Sequence, residues 1–593
     1  MARKKLPDDP RDFANQTDDY ILSVVTEDVK RAEEFCQPFI AKFSEYNDAY
    51  NAVIPPEKLR EEGANLAIPY IYSTVETALP KIINSIFDSK PYISYKPVSA
   101  DDGDKAKMLT QLVDYQMRQK MKAASVLYTI FKSALIEGTA IYKQTWKYET
   151  KKVVRRLPTK EMQVLDDGTE QAVEVSVPQE VEEVVYDAPK ISHIPLGEFL
   201  FDPAYSSIEA SPFGCHVYYM ELHELKKGEK AGRYKNTKKL STESDTELDH
   251  FGEPNRKGNM RDGVLIWEYW TDDWKVMIAN KSVVVQAMEN PYFHKSKPFT
   301  KWTPIPVPGA FYGKSMVESL IALQHELNTL RSQRLDNVSF AINRMFLINR
   351  NAEIDTKQLR SRPNGFIEVD DIQNDIREMV VADVTGSAYR DEEVVKADMD
   401  VTSGVHSYDR GQNPVRRDTA TVASLLTSAS SERFKLQAIM LEEDPITDVG
   451  RHLAELNKQF LSDETFIAIT NEDTGEEELA PITFEDIDIQ YDVAAVGTAI
   501  EPSVNKEVRQ SQLIQLLNVA ASIPGVNTPE LMKEIFQAFE FKNASEMVKD
   551  EEQMAMEMQA QGMGGGVNNA GMGSQMGGVG GLGPYLQQTP ENF

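Results

Sequence analysis

The segment Gly309-Ala-Phe-Tyr-Gly313-Lys314-Ser315 has the residue types that could hold a phosphate. A phosphate loop needs four residues between its first glycine and the Gly-Lys-Ser/Thr triplet, because their N–H groups line the anion nest. Here there are three, and Pro308 occupies the position the glycine should take. With no preceding parallel strand and no downstream magnesium-binding acid evident, Ser315 reads as the N-cap of the helix that follows. His193, His216, His223, His250, His294, His325, His406 and His452 lack the short spacings that let one element chelate a cation, and His325-Glu326 has no second histidine. Cys36 lies on an apolar stripe far from Cys215 and reads as a buried structural thiol. The acidic pairs Glu182-Glu183 and Glu442-Glu443 read as solvated faces. No catalytic, cofactor-binding or metal-binding residue emerges, and the chain is not expected to be an enzyme.

A different chemistry sits between His406 and Asp418, where Arg410, Arg416 and Arg417 face Asp409 and Asp418. This island is net positive in a chain of 64 basic and 93 acidic residues, net charge −29. Such a chain repels phosphates in bulk, so any contact with nucleic acid must be local. The loop is either a surface turn whose arginines pair with those aspartates or, repeated around a ring, a light basic contact in an acidic lumen. Lys357, Arg360 and Arg362 form a second basic patch, read equally well as a solvated surface or as a face for an acidic partner. Two cysteines in 593 residues fit a reducing compartment, and no stretch approaches 18 uninterrupted apolar residues, so no membrane association is expected.

The elements that must position these groups follow from periodicity. Apolar residues from Ile21 to Phe43 recur at helical steps, and further helices are expected from Ser73 to Phe87, Asp104 to Lys120 and Ala123 to Gly138. Strands are expected at Ala140–Trp146, 162–165, 172–177 and Val181–Tyr186, with Asp167-Gly168 as a turn. The polar stretch 226–262 reads as a mobile loop, followed by strands Val264–Trp270 and Trp274–Val285. Met316, Leu320, Leu323, Leu327 and Leu330 then form a seam on a helix carried to Asn343, a rod of roughly 40 Å that needs a neighbouring helix. A small α/β module follows from Met345 to about Val384, with Pro363-Asn364-Gly365 turning between strands at 347–349 and 366–369. Helices are expected from Tyr389 to Val405, from Thr419 to Glu443 with a kink at Pro445, and from Ile446 to Leu461. Acidic strands span Phe466–Val496, two helices lie within 501–550, and the Gly/Met/Gln-rich stretch 561–583 reads as disordered.

This order resembles the portal proteins of tailed bacteriophages, in the branch carried by short-tailed phages, over most of residues 60 to 545. The residues that carry the resemblance are Asn65-Leu-Ala-Ile-Pro69, Ser73-Thr-Val-Glu-Thr-Ala-Leu-Pro80, Gly138-Thr-Ala-Ile-Tyr-Lys143, Phe201-Asp-Pro203 and Trp267-Glu-Tyr-Trp270. Pro306-Val-Pro-Gly309-Ala-Phe-Tyr-Gly313-Lys-Ser-Met316, Gln324, Asn328, Asp336-Asn337 and Asp418-Thr-Ala-Thr421 complete it. The resemblance implies an α+β, mainly helical fold with wing, stem, clip and crown, assembling into a ring around a central channel. The wing would be 1–313, the first stem helix 314–344, the clip 345–385, the second stem helix 386–405 and the tunnel loop 406–418. A wing helix with a β segment (419–500), crown helices (501–550) and a low-complexity tail (551–593) would follow. It further implies a dodecameric ring at one capsid vertex, through which double-stranded DNA is packaged and ejected. The ring would dock the terminase large subunit and then adaptor and tail proteins, and would touch major capsid and scaffolding proteins. The protein would sit in the virion, and in the host cytoplasm during assembly. Residues of the tunnel loop (Arg410, Arg416, Arg417) would line the channel, and those of the clip (Lys357, Arg360, Arg362) would meet the docking partner. The alternatives are another virion structural protein, a tail-tube or minor capsid component, and a nucleotide-dependent enzyme with an atypical phosphate loop.

Overall fold

The computed structural model describes residues 9–87, 91–164, 170–240, 263–343, 345–350, 359, 368–369, 371, 375–379, 385–411, 432–462, 465–470, 477–495, 516–517, 532 and 535–536. The turns expected at Asp167-Gly168 and Pro363-Asn364-Gly365, the cations Lys357, Arg360, Arg362, Arg416 and Arg417, nearly all of 501–550 and all of 551–593 lie outside the described residues. The chain divides into two compact units, residues 1–470 with 477–502 and residues 471–476 with 503–593. In the second, the described positions are helical. All elements named from here belong to the first.

Thr17 caps helix α1 (Asp18–Tyr50) by accepting the Tyr20 N–H at 3.4 Å, and Asp18 and Asp19 complement the dipole of the first turn. Ile21, Val25, Val29, Ala32 and Cys36 turn inward at three- or four-residue steps, and Phe43 follows on the same face. Burial pushes the Cys36 thiol up to about 11, and Tyr312 donates its hydroxyl to Sγ at 3.4 Å. Helices α2 (Tyr70–Phe87), α3 (Gly103–Tyr115) and α4 (Ala123–Glu137) complete the N-terminal set. Helix α3 widens into a π-turn at Gln116–Lys120, where the side-chain amides of Gln116 and Asn457 exchange hydrogen bonds of 2.7 and 2.8 Å.

Between α2 and α3, strand β1 (Ile93–Pro97) pairs with Tyr491–Ala495 from the far end of the unit. Strands β2 (Ala140–Val164) and β3 (Glu170–Ile194) form a single antiparallel hairpin of 25-residue strands. The shorter strands expected there are joined, because Pro158 and Pro178 sit in strands with an open side, where a missing N–H need not break the ladder. Strands β4 (Phe199–Phe201), β5 (Gly214–Glu221), β6 (Gly263–Trp270), β7 (Trp274–Ala279) and β8 (Val283–Glu289) form an antiparallel sheet in sequence order. The single strand expected over Trp274–Val285 is two strands, because Asn280 and Lys281 take φ of 48° and 56°, the left-handed pair of a tight hairpin turn. The stretch expected as a mobile loop is folded through residue 240. Helix α5 (Leu222–Lys230) sets Leu225 in a second small core with Val264, Ile266, Met277, Ala279 and Val285. Residues 241–262 lie outside the described residues. Strand β9 (Phe299–Trp302) returns to pair with the first residues of β2.

Helix α6 (Ile321–Ile342) and helix α7 (Thr385–Ser403) flank β10 (Phe346–Ile348) and β11 (Ile376–Glu378), which pair with each other; the strand expected at 366–369 lies in part outside the described residues. Helix α8 (432–441) runs through a π-turn at Glu442–Ile446 into α9 (Thr447–Phe460). The wide turn accommodates Pro445, which has no N–H to give, without ending the helix. Strands β12 (Thr465–Thr470) and β13 (Glu477–Ile482), a capped turn α10 (Phe484–Ile487) and β14 (Tyr491–Ala495) close the unit. The fold is α+β with about half of it helical, less dominated by helix than the sequence suggests.

One feature of α9 sets an acid limit on this fold. Burial, with His294 and Arg451 adding to it, holds His452 down to about 3, and its Nδ1 has no hydrogen-bond partner among the described residues. An unfolded histidine titrates near 6.5, so between the two values the unfolded chain binds the extra proton. The contribution of His452 is therefore complete above pH 6.5 and declines as pH falls, by about 1.4 kcal/mol per unit. His452→Gln should flatten the pH dependence of the denaturation midpoint by one proton over that window. An unchanged slope would refute the assignment.

Candidate nucleic-acid channel site

The start of α6 is set by two glycines far apart in sequence. Gly138 ends α4 with φ of 86°, and a Cβ there would lie 2.6 Å from the Gly313 carbonyl oxygen. A Cβ on Gly313 would lie 2.1 Å from Thr303 Cγ2 and 2.7 Å from the Gly138 carbonyl oxygen. Only residues without a side chain permit this approach. Three N–H groups at this junction are already used. Gly313 donates to Thr139 Oγ1 at 2.9 Å, Lys314 to the Ile305 carbonyl at 2.9 Å and Met316 to the Leu135 carbonyl at 3.2 Å. Ser315 donates its hydroxyl to the Ile136 carbonyl and accepts the N–H groups of Val317 at 2.9 Å and Glu318 at 3.2 Å. It thus caps the turn at 316–320, and the helix begins at Ile321 rather than directly after Ser315. The segment fastens α6 to the end of α4; it is not an anion nest.

Along α6, four polar side chains at successive four-residue steps hold the segment 60–71. Gln324 donates to the Ile68 carbonyl at 2.7 Å and accepts the Ile71 N–H at 3.3 Å, and Asn328 accepts the Ile68 N–H at 2.9 Å. Ser332 accepts the Leu66 N–H at 3.1 Å, and Asp336 accepts the Ala64 N–H at 2.7 Å. The backbone N–H of Ala64, with Arg60 at 2.6 Å, keeps the Asp336 carboxyl below its ordinary range. One helix face here does what a neighbouring strand would do, satisfying backbone groups that would otherwise lack partners.

Helices α6 and α7 run antiparallel, since Arg331 meets Glu392 at 3.2 Å while the later Arg334 reaches Glu392 and stacks 3.9 Å from the earlier ring of Tyr389. Lys396 closes the cluster on Glu392 at 2.8 Å. Of the seam residues, Met316, Leu320 and Leu327 are buried, and Leu323 and Leu330 are partly buried against the same core, which also holds Val395 and Met399 of α7. The seam therefore finds its neighbouring helix within the subunit. Towards the far end of the pair, Leu335, Val338, Phe340 and Ile342 stand exposed, with Ile342 68% exposed; Val394 is exposed at mid-length and Val401 at the body end.

The loop after α7 begins at Gly404 (φ 73°) and winds into a short 3-10 turn, Ser407–Arg410. There Arg410 donates to Tyr70 Oη at 2.7 Å, Asp400 Oδ1 at 2.8 Å, Thr74 Oγ1 at 3.1 Å and the Val405 carbonyl at 3.3 Å. Its side chain is 7% exposed. Lys81 of α2 pairs with Asp409 at 2.6 Å, and Asp409 also accepts the His406 N–H at 2.9 Å. Arg410 thus ties the end of α7 to α2; Arg416 and Arg417 lie outside the described residues, as do Lys357, Arg360 and Arg362. The helix ladder was visible in the sequence only as an i, i+4 row of polar residues, which by itself says nothing about a partner 260 positions away.

Among the described residues, no cluster of His, Cys, Asp and Glu could hold a metal ion, and no helix is long and apolar enough to cross a membrane. Residues 21–564 match the family described as Phage SU10 portal protein. The chain belongs to this family of phage portal proteins, as the resemblance to the short-tailed type suggests. No curated protein matches it.

Proposed function

We propose that the chain is the repeating subunit of a closed ring at one capsid vertex, the channel through which double-stranded DNA is packaged and later ejected. The observation that carries this reading, beside the family, is the antiparallel helix pair: it is fixed to the subunit body by the glycine contact, the polar ladder and Arg410, and it leaves an apolar far end uncovered. A patch of this kind marks an interaction surface, and neighbouring copies in a ring would cover it. The pair would be the stem, 314–344 and 386–405, with the clip, 345–385, at its tip. A net charge of −29 per subunit gives a lumen that repels DNA along most of its length, so Arg416 and Arg417 would touch it without the tight binding that many released counterions produce. Lys357, Arg360 and Arg362 would face first the terminase large subunit and then adaptor and tail proteins. Major capsid and scaffolding proteins would meet the outer rim. The ring is a passive conduit, and the motor that docks on it hydrolyses the ATP. In this reading the subunit has no enzymatic activity and binds no cofactor; it assembles in the host cytoplasm and ends in the virion.

The native mass of the purified chain tests the ring. About twelve copies of 66.8 kDa give one species of roughly 800 kDa, whereas a stable monomer or dimer would count against it. Arg416→Glu with Arg417→Glu should leave that mass unchanged and reduce the DNA packaged or retained per particle. Loss of the ring in this variant would make the loop an assembly contact.

A further inference from the structure

The hairpin of β2 and β3 has two open edges. The sheet order is β3-β2-β9, and β9 covers only Ala140–Lys143. From Lys147 to Val164 and back from Glu170 to Asp187 the two strands pair only with each other among the described residues, an arm of roughly 60 Å at 3.3 Å per residue. A two-stranded ribbon is marginal in water by itself, and a long open edge is a template for another strand.

The two edges differ in charge. Over 147–156, β2 carries Lys147, Lys151, Lys152, Arg155 and Arg156 against Glu149 alone; over 178–187, β3 carries Glu180, Glu182, Glu183 and Asp187 and no cation. Within the arm, Arg155 pairs with Glu183 at 2.5 Å and Lys147 with Glu149 at 2.6 Å. Lys151, Lys152 and Arg156 make no ion pair with any described residue, and Tyr148, Val154, Val184 and Val185 are exposed, Val154 at 65%. Lysines that merely guard an edge against aggregation would serve on either strand. Segregation by strand does something else: it makes two basic edges repel, two acidic edges repel, and a basic edge attract an acidic one.

We infer that this arm joins neighbouring copies of the chain, the basic edge of β2 in one subunit adding to the acidic edge of β3 in the next. Rotation about one axis leaves every copy's β2 pointing the same way along that axis, so β2 of one copy meets β3 of its neighbour antiparallel, as within the hairpin. The junction is head-to-tail, the kind that repeats and closes. A second copy fits better than any other occupant because the chain itself supplies both complementary edges. The inference rests on the ring reading above.

The test reverses each edge in the full-length chain. One variant carries Lys151→Glu, Lys152→Glu and Arg156→Glu, so both edges are acidic; the other carries Glu180→Lys, Glu182→Lys and Glu183→Lys, so both are basic. Each alone should need at least about tenfold more protein to assemble, while a one-to-one mixture, alternating acidic and basic copies, should recover the wild-type ring mass. Mixing cannot cure repulsion inside a single hairpin, so failure of the mixture overturns the inference, as does normal assembly of either variant alone. In both cases a wild-type ring leaves the portal-ring reading standing. If the wild-type chain forms no ring, that reading fails and the inference with it.

Discussion

Replacing Glu268 with Gln should lower the stability of the folded chain by about 3–5 kcal/mol, the usual cost of removing one partner from a buried charge cluster. Glu268 sits in β6 with 4% of its surface exposed. Lys143 approaches its carboxylate at 2.5 Å, Lys275 at 3.4 Å and His216 at 3.9 Å, and Trp270 donates its indole N–H at 3.1 Å. Burial alone would push this carboxyl up; Lys143, Lys275 and His216 outweigh it and hold the group far below the usual carboxylate range. The sign follows: the folded value lies below the unfolded one, so the stabilisation is present above pH 4.5 and is lost as pH falls through the acid range. Glutamine keeps the shape and removes the charge, leaving two lysines facing each other in a closed interior. Pairing Glu268→Leu with Lys143→Met should recover much of the loss, because the desolvation penalty of both ions goes with them. Denaturation midpoints for the three chains decide it; a loss under about 1 kcal/mol in Glu268→Gln would mean that water reaches the cluster.

That cluster could not be read from the sequence, although every member was in view. Lys143 and Glu268 lie 125 positions apart, and only the adjacency of the β2 and β6 segments in the folded chain brings them together. Periodicity fixes which face of an element is buried, and for this reason α1 and α4 fall where the apolar residues place them. It does not fix where an element stops when the stopping signal is made by a partner. Ser315 looks like the cap of a long helix, yet its hydroxyl is committed to Ile136 and to a preliminary turn, so α6 starts late. Trp274 to Val285 is uninterrupted in strand-forming residues apart from Asn280-Lys281-Ser282, and only the positive φ of Asn280 and Lys281 shows the break. Gly138 and Gly313 were both visible as residues carrying the family resemblance. Their contact supplies the physical reason for each: no Cβ fits where the two backbones meet.

Arg410 separates a structural role from the proposed DNA contact of the loop after α7. Arg410→Ala should cost about 3 kcal/mol, since it leaves the Asp400 carboxylate, 18% exposed, and the hydroxyl of Tyr70 without their shared cation. Arg410→Lys should recover only part of this, because one ammonium cannot span Tyr70, Asp400, Thr74 and the Val405 carbonyl as the guanidinium does. Arg416→Glu with Arg417→Glu should change the unfolding free energy by less than about 0.5 kcal/mol. The sequence treats the three arginines as one basic island, and on that view all three substitutions would weaken DNA retention at constant stability. The geometry instead makes Arg410 the joint through which α7 is held to α2. Its loss should loosen the second helix of the pair and disturb ring assembly before any effect on DNA is seen. Unchanged stability in Arg410→Ala, together with reduced DNA retention, would return Arg410 to the channel.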